Sequence, residues 1–439
     1  MNKILAVFLL FINAHSYTQH LSLENVIELA LEHNHNIIIS RSEVQIAKNN
    51  NTYGNAGLLP TVDVNGEISI SKSNVDILFA NQPEPIENAN AESYSEALSA
   101  NLIYVLFSGF GNIRTYHKLN SIGELAEIQT RVNIESTLLS VVSSYYEVLK
   151  LQQQLKAKKY LLEISKQRLK RISVTSEYGA TTKLNALNAQ VDVNTDSSSF
   201  LSSIQDLNNA KNSLNFLLGN PMSTTISIAE DDNDLPEIKS LEEYENLSKK
   251  NNVNLLLSQM NVELNEWDKK INESRFSPIV AANLRYGYNS SESAPSVVLS
   301  NSSLGFTGSV NLIWNLFDGN KKRIALKNAK INLENNKTKI DQTNLSISNE
   351  LYNYYTTYQN ARSIFMLEKK AIEIAKLNLN SSENKYNQGL ISTLQFREAQ
   401  LALLNTEIKL ANTYYSAMFN FYQLKRIAGE ILLTSATKK

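Results

Sequence analysis

Between Pro60 and Ser71, polar and apolar residues alternate without a break. Thr61, Asp63, Asn65, Glu67, Ser69 and Ser71 fall on one face, and Val62, Val64, Gly66, Ile68 and Ile70 on the other. A period of two predicts a β-strand with one wet face. A second strand is expected over about 97–107, where Leu98, Ala100, Leu102, Tyr104 and Leu106 share a face, after a polar loop over 72–96 that contains Pro83 and Pro85. The surrounding chain reads as long helix. Ser22-Leu23-Glu24 opens a helix that breaks at 33–36 and resumes to about Tyr53. From Gly109 to Tyr178 the apolar spacing is helical: Leu138, Val142, Tyr145 and Leu149, then Leu155, Leu162 and Leu169, form a coiled-coil seam that ends at Gly179. A return helix over 182–218 carries Leu207, Ala210, Leu214 and Leu217 on its seam and stops at Gly219 and Pro221. A strand dressed in this way fits a soluble sheet or a membrane barrel equally well, so its surroundings must decide.

The pattern then repeats. Ser22-Leu23-Glu24 recurs as Ser240-Leu241-Glu242, the run 36–40 as 254–258, and Pro60 as Pro278, all at an offset of 218. Past the first loop the offset is 210, pairing Phe107 with Phe317, Tyr145 with Tyr355, Gly179 with Gly389, Gln190 with Gln400 and Gly219 with Gly429. The eight missing residues must lie between the two strands of the second copy, and a loop is where insertions belong. That places strands at about 279–289 and 304–317. Val62, Val64, Ile68 and Ile70 then fall on Val280, Ala282, Tyr286 and Tyr288, and Tyr104 falls on Trp314, so the same face stays apolar. The last helix has a seam of Leu401, Leu404, Ile408, Ala411, Tyr415, Met418 and Tyr422.

Composition sharpens the choice. In 439 residues there are only 14 glycines and 7 prolines, which implies long uninterrupted elements. A net charge of −1 gives no electrostatic case for a nucleic-acid partner. Lys3, the apolar run 4–12 and Ala14-His15-Ser16 have the form of a signal peptide over 1–16, with the mature chain expected to begin near Tyr17. No later run reaches the roughly 20 apolar residues of a membrane helix. The absence of cysteine excludes disulfides, thiolate metal sites and a lipid-bearing cysteine. The expected organisation is a first repeat over 17–219, a linker over 220–239, a second repeat over 240–431 and a tail over 432–439.

From Phe107 to Gly179, as from Phe317 to Gly389, is 72 residues, or roughly 100 Å of helix at 1.5 Å per residue. No globular core is that long, so the helices must line a tube or rod. Four strands cannot close a barrel, and a membrane sheet with free edges leaves backbone groups unpaired in hydrocarbon. Closure must come from other copies. Two chains would supply eight strands and three would supply twelve, and these considerations leave both open.

The duplicated helix–strand–strand–helix–helix order, Leu-Phe-Ser-Gly and Leu-Phe-Asp-Gly at the strand ends, Tyr386-Asn-Gln-Gly389-Leu-Ile-Ser392 and Leu-Leu-Gly219 together resemble the TolC-type outer membrane efflux family, from about Leu21 to Ile431. The resemblance implies a mainly α fold with membrane β: long helical hairpins form a periplasmic tunnel, and four strands per chain build a trimeric, twelve-stranded outer-membrane barrel. It implies a homotrimer that is a passive exit duct, not an enzyme, and that uses no cofactor or metal. It implies a periplasmic membrane-fusion adaptor and an inner-membrane pump of RND, ABC or MFS type as partners, with outer-membrane lipid around the barrel. Alternatives are the duct of type I protein secretion, or an exported coiled-coil adhesin or adaptor without a barrel.

The same resemblance assigns sites. Adaptor docking falls on Gly179, Ala180, Thr181 and Thr182 and on Gly389, Leu390, Ile391 and Ser392, where ordinary turn chemistry already explains the glycines. The narrow periplasmic aperture falls on Gln395 and Glu398, of which only Glu398 is acidic. An inter-helix latch would join Tyr386 to Asn185 and Ile391 to Leu184, and only the tyrosine has the family's residue type. Tyr104, Trp314, Tyr286 and Tyr288 on the apolar face suit an interfacial aromatic girdle. Lys321-Lys322-Arg323 could reach lipid phosphates or be a solvated face, and Lys166, Arg168, Lys170 and Arg171, two turns above the first hairpin tip, are expected to be solvated, the alternative being that they meet a partner protein. His33 and His35 lie in a polar turn with no third metal ligand nearby. No phosphate loop, nucleophile elbow or acid–base pair is present.

Overall fold

The computed structural model describes residues 20–78, 80, 84, 86–179, 182–229, 234–294 and 299–432. The expected signal peptide, Pro83, Pro85, Ala180, Thr181 and all but the first residue of the expected tail lie outside them. In chain order the elements are β1 (His20–Leu21), α1 (Leu23–His33), α2 (His35–Asn50), β2 (Thr61–Ile77), β3 (Ile86–Phe107), α3 (Gly111–Glu177), α4 (Lys183–Leu217), β4 (Ser227–Ile228), α5 (Leu241–Asn251), α6 (Val253–Ser274), β5 (Ile279–Ala294), β6 (Ser300–Ile313), α7 (Lys321–Asn387) and α8 (Thr393–Ile427). The duplication is exact in element lengths at the hairpins: α3 and α7 each have 67 residues, and α4 and α8 each have 35.

The chain divides into two units. One comprises Ser42–Ile128 and Leu256–Gln342 and holds an antiparallel sheet in the order β2-β3-β5-β6. Its register puts Val64, Ala100, Tyr286 and Phe306 in one row across all four strands, flanked by the rows Val62–Leu102–Leu284–Gly308 and Gly66–Leu98–Tyr288–Leu304. The intervening rows are polar: Asp63–Asn101–Arg285–Thr307, Asn65–Ser99–Gly287–Gly305 and Ser69–Ser95–Ser291–Asn301. Over these rows one face is therefore apolar across all four strands, as the strand alternation requires. Below the strands, α3 packs between α2 and α6 through polar contacts. Lys48 pairs with Glu127 at 2.8 Å, Lys118 with Asp268 at 2.6 Å, and Ser121 donates to Glu263 at 2.7 Å.

Several strand limits differ from the sequence expectation. The expected loop over 72–96 is mostly strand, because β2 continues to Ile77 and β3 begins at Ile86. In that stretch Lys72 pairs with Glu92 at 2.5 Å and Ser69 with Ser95 at 2.7 Å. A ribbon wet on both faces has no apolar period to detect. β5 runs to Ala294, and β6 occupies 300–313 instead of 304–317. It ends where Trp314 leaves the ladder and donates its indole N–H to the Phe276 carbonyl at 3.1 Å. A bulge between Val105 and Phe107 puts Phe107 opposite Val280, so Phe107, rather than Leu106, continues the apolar face. The two-residue parallel pairing of β1 with β4, of which β4 lies inside the expected linker, had no sequence signal.

The other unit comprises Met1–Arg41, Gln129–Leu255 and Thr343–Lys439. Its core includes buried stripes of α3 (Leu138, Val142, Tyr145, Leu149) and α8 (Tyr414, Met418, Phe421, Leu424), and Tyr414 and Phe421 of α8 meet Phe365 and Tyr358 of α7 with ring centroids 5.6 and 6.2 Å apart. Tyr146 meets Tyr415 and Tyr422 with ring centroids 5.7 and 6.1 Å apart. Toward the hairpin tip the buried stripe of α8 passes through Phe396, Ala399 and Leu403, while Leu401 of the expected seam is exposed.

The break at 33–36 is a built joint. Buried Asn34 accepts the N–H groups of Asn36 and Ile37 at 2.9 and 3.2 Å, which starts α2, and donates to the last carbonyl of α4, that of Leu217, at 2.7 Å. Asn252 repeats this, accepting from Asn254 and Leu255 and donating to the Ile427 carbonyl at 2.9 Å. Gly219 and Gly429, both at φ near +70°, close the same joints; a Cβ on either would stand 2.5 Å from the carbonyl oxygen of His33 or Asn251.

Candidate functional site

Three places on the chain correspond to the expected sites. The first is the apolar face of the sheet. Tyr286 and Tyr288 sit in adjacent apolar rows, with Leu304 opposite Tyr288, and Trp314, the residue after the end of β6, lies ten residues beyond Leu304. At about 3.3 Å per residue and a tilt of about 40°, that spacing measures roughly 25 Å along a membrane normal. Tyr104, opposite Ala282, lies toward the Trp314 end. Between the two aromatic levels, Val62, Val64, Leu98, Leu284, Phe306 and Val310 are exposed.

The second place is the pair of hairpin tips. Gly389 (φ 75°) ends α7: its N–H donates to the Tyr386 carbonyl at 3.0 Å and that of Leu390 to the Lys385 carbonyl at 2.9 Å, the paired bonds of a Schellman cap. Ser392 then caps α8 in a reciprocal box with Gln395, whose side-chain oxygen accepts the Ser392 N–H at 2.9 Å. Thr182 caps α4 by accepting the Asn185 N–H at 3.3 Å. Turn chemistry thus accounts for the repeated spacing of Gly179 to Thr182 and Gly389 to Ser392, and Gln395 spends its amide on the cap. What turn chemistry does not explain is the apolar surface left beside the tips: Tyr178 is 85% exposed, and Leu184, Leu187, Leu390 and Leu394 are exposed as well.

The third is the region of the expected aperture and latch. Glu398 is exposed on α8, one turn from Gln395, with no ion pair among the described residues. Tyr386 stacks on Phe396 with centroids 4.8 Å apart, and the Arg171 guanidinium lies over its ring at 5.5 Å. Arg171 also donates to the Asn387 carbonyl at 2.8 Å and to the Asn387 side chain. Ile391 packs on the cluster of Ala375, Leu379, Phe396, Ala399 and Leu403. Tyr386 is therefore held by Arg171 and Phe396.

One and two turns above these contacts is an ionic network that the sequence reading missed. Arg397 makes a bidentate pair with Asp196 at 2.7 and 2.8 Å and a hydrogen bond to Ser165 at 3.1 Å; Ser165 donates to Asp196 at 2.6 Å. Arg168 pairs with Asp192, which Arg397 also approaches at 3.7 Å. Arg168, Arg397, Asp196 and Ser165 are buried, and together they tie α3, α4 and α8. Arg168 is thus not the solvated cation expected, because it is buried and pairs with Asp192. The signal was present as two aspartates spaced i, i+4, a like-charge pair that destabilises an isolated helix unless cations sit against it. The network has no copy in the other repeat, where Ser165 and Asp196 correspond to Ala375 and Thr406.

Among the described residues, no group of three His, Asp or Glu side chains could hold a metal ion, and no helix is long and apolar enough to cross a membrane. His33 is exposed beside Glu32 at 3.8 Å, at the Asn34 joint. In the helical unit, burial pushes the Glu407 carboxyl up from its ordinary range, against the pull of Lys376 and Lys156. Burial does the same to Glu135, opposed by Arg131, whose Nε lies 2.9 Å away.

The family model described as outer membrane efflux protein matches residues 26–220 and 246–430. No curated protein matches the sequence. Among solved structures, a membrane protein from Pseudomonas aeruginosa is 17% identical with a TM-score of 0.75, over 93% of this chain and 90% of that one. The CmeC outer membrane channel of Campylobacter jejuni is 16% identical with a TM-score of 0.75, over 93% and 86%. The outer membrane protein VceC of Vibrio cholerae is 18% identical with a TM-score of 0.71, over 93% and 96%. At these identities the likeness speaks for the fold.

Proposed function

Because this chain belongs to the outer membrane efflux protein family, we propose that three copies close into a passive exit duct that receives cargo from a periplasmic adaptor and an inner-membrane pump. The carrying observation is the sheet: one face apolar across four strands, and β2 and β6 at its edges with their outer backbone groups unpaired among the described residues. The strand directions alternate, so β6 of one copy meets β2 of the next antiparallel, and a ring leaves no edge in hydrocarbon. Twelve strands make a lumen, lined by the polar rows of Asn, Ser and Thr. The helices support the same arrangement. Leu367, Ile374 and Leu377 on α7, and Leu184, Leu187 and Val191 on α4, form exposed apolar seams that a neighbouring copy would cover. Energy comes from the pump, and the duct does no chemistry.

Planar-bilayer recording tests the duct. The reconstituted protein is expected to conduct, and Glu398, brought to the axis in three copies, is expected to favour cations. Glu398→Gln should reduce cation selectivity and divalent-cation block, while Gln395→Ala, which removes a capping amide, should alter selectivity little. Unchanged reversal potentials in Glu398→Gln would remove that residue from the pore.

Exposed Leu390 and Leu394 at the second tip support adaptor docking there. Leu390→Asp places a charge on that surface, and is expected to reduce adaptor recovery in pull-down at least tenfold while trimers remain in the membrane. Adaptor recovery equal to wild type would move the docking surface elsewhere.

A further inference from the structure

At the foot of the sheet, the apolar face ends in an aromatic residue surrounded by cations that no carboxylate neutralises. Trp314 is exposed and anchored by its indole N–H to the Phe276 carbonyl at 3.1 Å, and exposed Arg275 directly precedes Phe276. Lys322 lies on its other flank, with Nζ 2.8 Å from the carbonyl of Asn315, the residue after Trp314. Lys321 and Arg323 are exposed beside it. Between Trp314 and Leu333 the chain has five cations and a single carboxylate, Asp318, and that carboxylate accepts the Lys322 backbone N–H at 3.0 Å. Arg275, Lys321 and Arg323 have no ion pair among the described residues.

We propose that this collar binds the phosphate headgroups of anionic phospholipids in the leaflet that meets the helical end of the sheet. The inference rests on the reading of the apolar face as lipid-facing. The position fits: Trp314 marks one end of the roughly 25 Å apolar span, and headgroup phosphates lie just beyond such a limit. The chemistry fits as well. Arginine offers a planar fork of donors to phosphate oxygens, and the lysines lay their stems along apolar surface while keeping the ammonium wet. A solvated cationic face would need no aromatic partner on the membrane side. A protein partner would be expected to bring apolar seams of its own to this level, whereas the surface above it is already occupied by acyl chains.

The test is native mass spectrometry of the detergent-purified oligomer, titrated with phosphatidylglycerol or with phosphatidylcholine of the same chain length. Wild type is expected to retain phosphatidylglycerol preferentially. Arg275→Gln, Lys321→Gln and Arg323→Gln together should erase that preference, at roughly fivefold per cation removed. The charge-conserving set Arg275→Lys, Lys321→Arg and Arg323→Lys should restore most of it, which separates charge from folding. Equal retention of the two lipids by wild type, or undiminished preference in the glutamine set, overturns the proposal. Displacement of phosphatidylglycerol by millimolar inorganic phosphate would show a free-phosphate site and also overturn it. A glutamine set that still assembles and conducts while losing lipid preference leaves the duct reading standing; a wild-type chain that neither assembles nor conducts removes the duct reading itself.

Discussion

Leu284→Arg is expected to abolish stable insertion of the oligomer into membranes. Leu284 sits in the row midway between Val280 and Tyr288 on β5, flanked by Leu102 and Gly308. It therefore lies near the middle of the apolar span. An arginine at the midplane of a barrel's lipid face costs about 2–4 kcal/mol per chain. A threefold ring would incur that cost three times. The neighbouring residue Asn283, paired with Ile103 and Ser309 on the other face, offers the control. Asn283→Ser should assemble as wild type does. Heat-dissociation gels of membrane extracts separate the two outcomes, and equal losses from both substitutions would mean that the faces are assigned the wrong way round.

The second large effect is expected at the buried ionic network. Asp196→Ala would leave the Arg397 guanidinium buried with Ser165 and a distant Asp192 as its remaining polar neighbours, and breaking a buried pair from one side costs about 3–5 kcal/mol. The double change Asp196→Leu with Arg397→Met removes both charges and should recover most of that loss, because an apolar pair of similar volume suits a buried site. Thermal dissociation of the oligomer measures both variants. If the double variant is as unstable as the single one, Arg397 and Asp196 are not coupled in the way their geometry implies. The consequence for the tip is direct: the network fastens α8 to α3 and α4 just above the contacts of Arg171 with Tyr386 and Asn387.

Legibility of the chain followed the physics of each signal. The apolar face of the sheet was readable because lipid demands a strict period of two, and Val62 through Ile70 obey it. The ends of β2 and β3 were not, because outside the apolar span Ser, Asn and Glu suit both faces and the period disappears. Helix lengths were readable from the duplication, since two copies had to place Gly179 and Gly389 equally far from Phe107 and Phe317. The ionic network escaped because one chain's sequence says nothing about which helices bring Asp192 and Arg168 together. The joint residues Asn34 and Asn252 lie at the repeat offset of 218, so the pairing itself was visible. Their role was not, because an asparagine between two helices reads as a solvated turn until a distant carbonyl is found against it.

Those joints bear on how the chain reaches its native state. Asn34 meets Leu217 across 183 residues, and Asn252 meets Ile427 across 175. The first joint is made by residues of its own half, whereas the second also takes Arg131 of α3, which donates to the carbonyls of Asn251 and Gly429 at 3.1 and 3.4 Å. Loop-closure entropy grows only as the logarithm of length, roughly 0.6 kcal/mol per doubling, so two closures of this span are individually no great obstacle. They do set an order of events. The first half can complete its long-range contact as soon as Leu217 and Gly219 have emerged, while the second is still unfolded, and domains that arrive first generally fold first. What it cannot complete alone is the pairing of β3 with β5. The amino-terminal half therefore waits with both edges of its β2-β3 hairpin unpaired, and the arrival of the second half fills the β3 edge with β5 and gives Arg131 the carbonyls of Asn251 and Gly429.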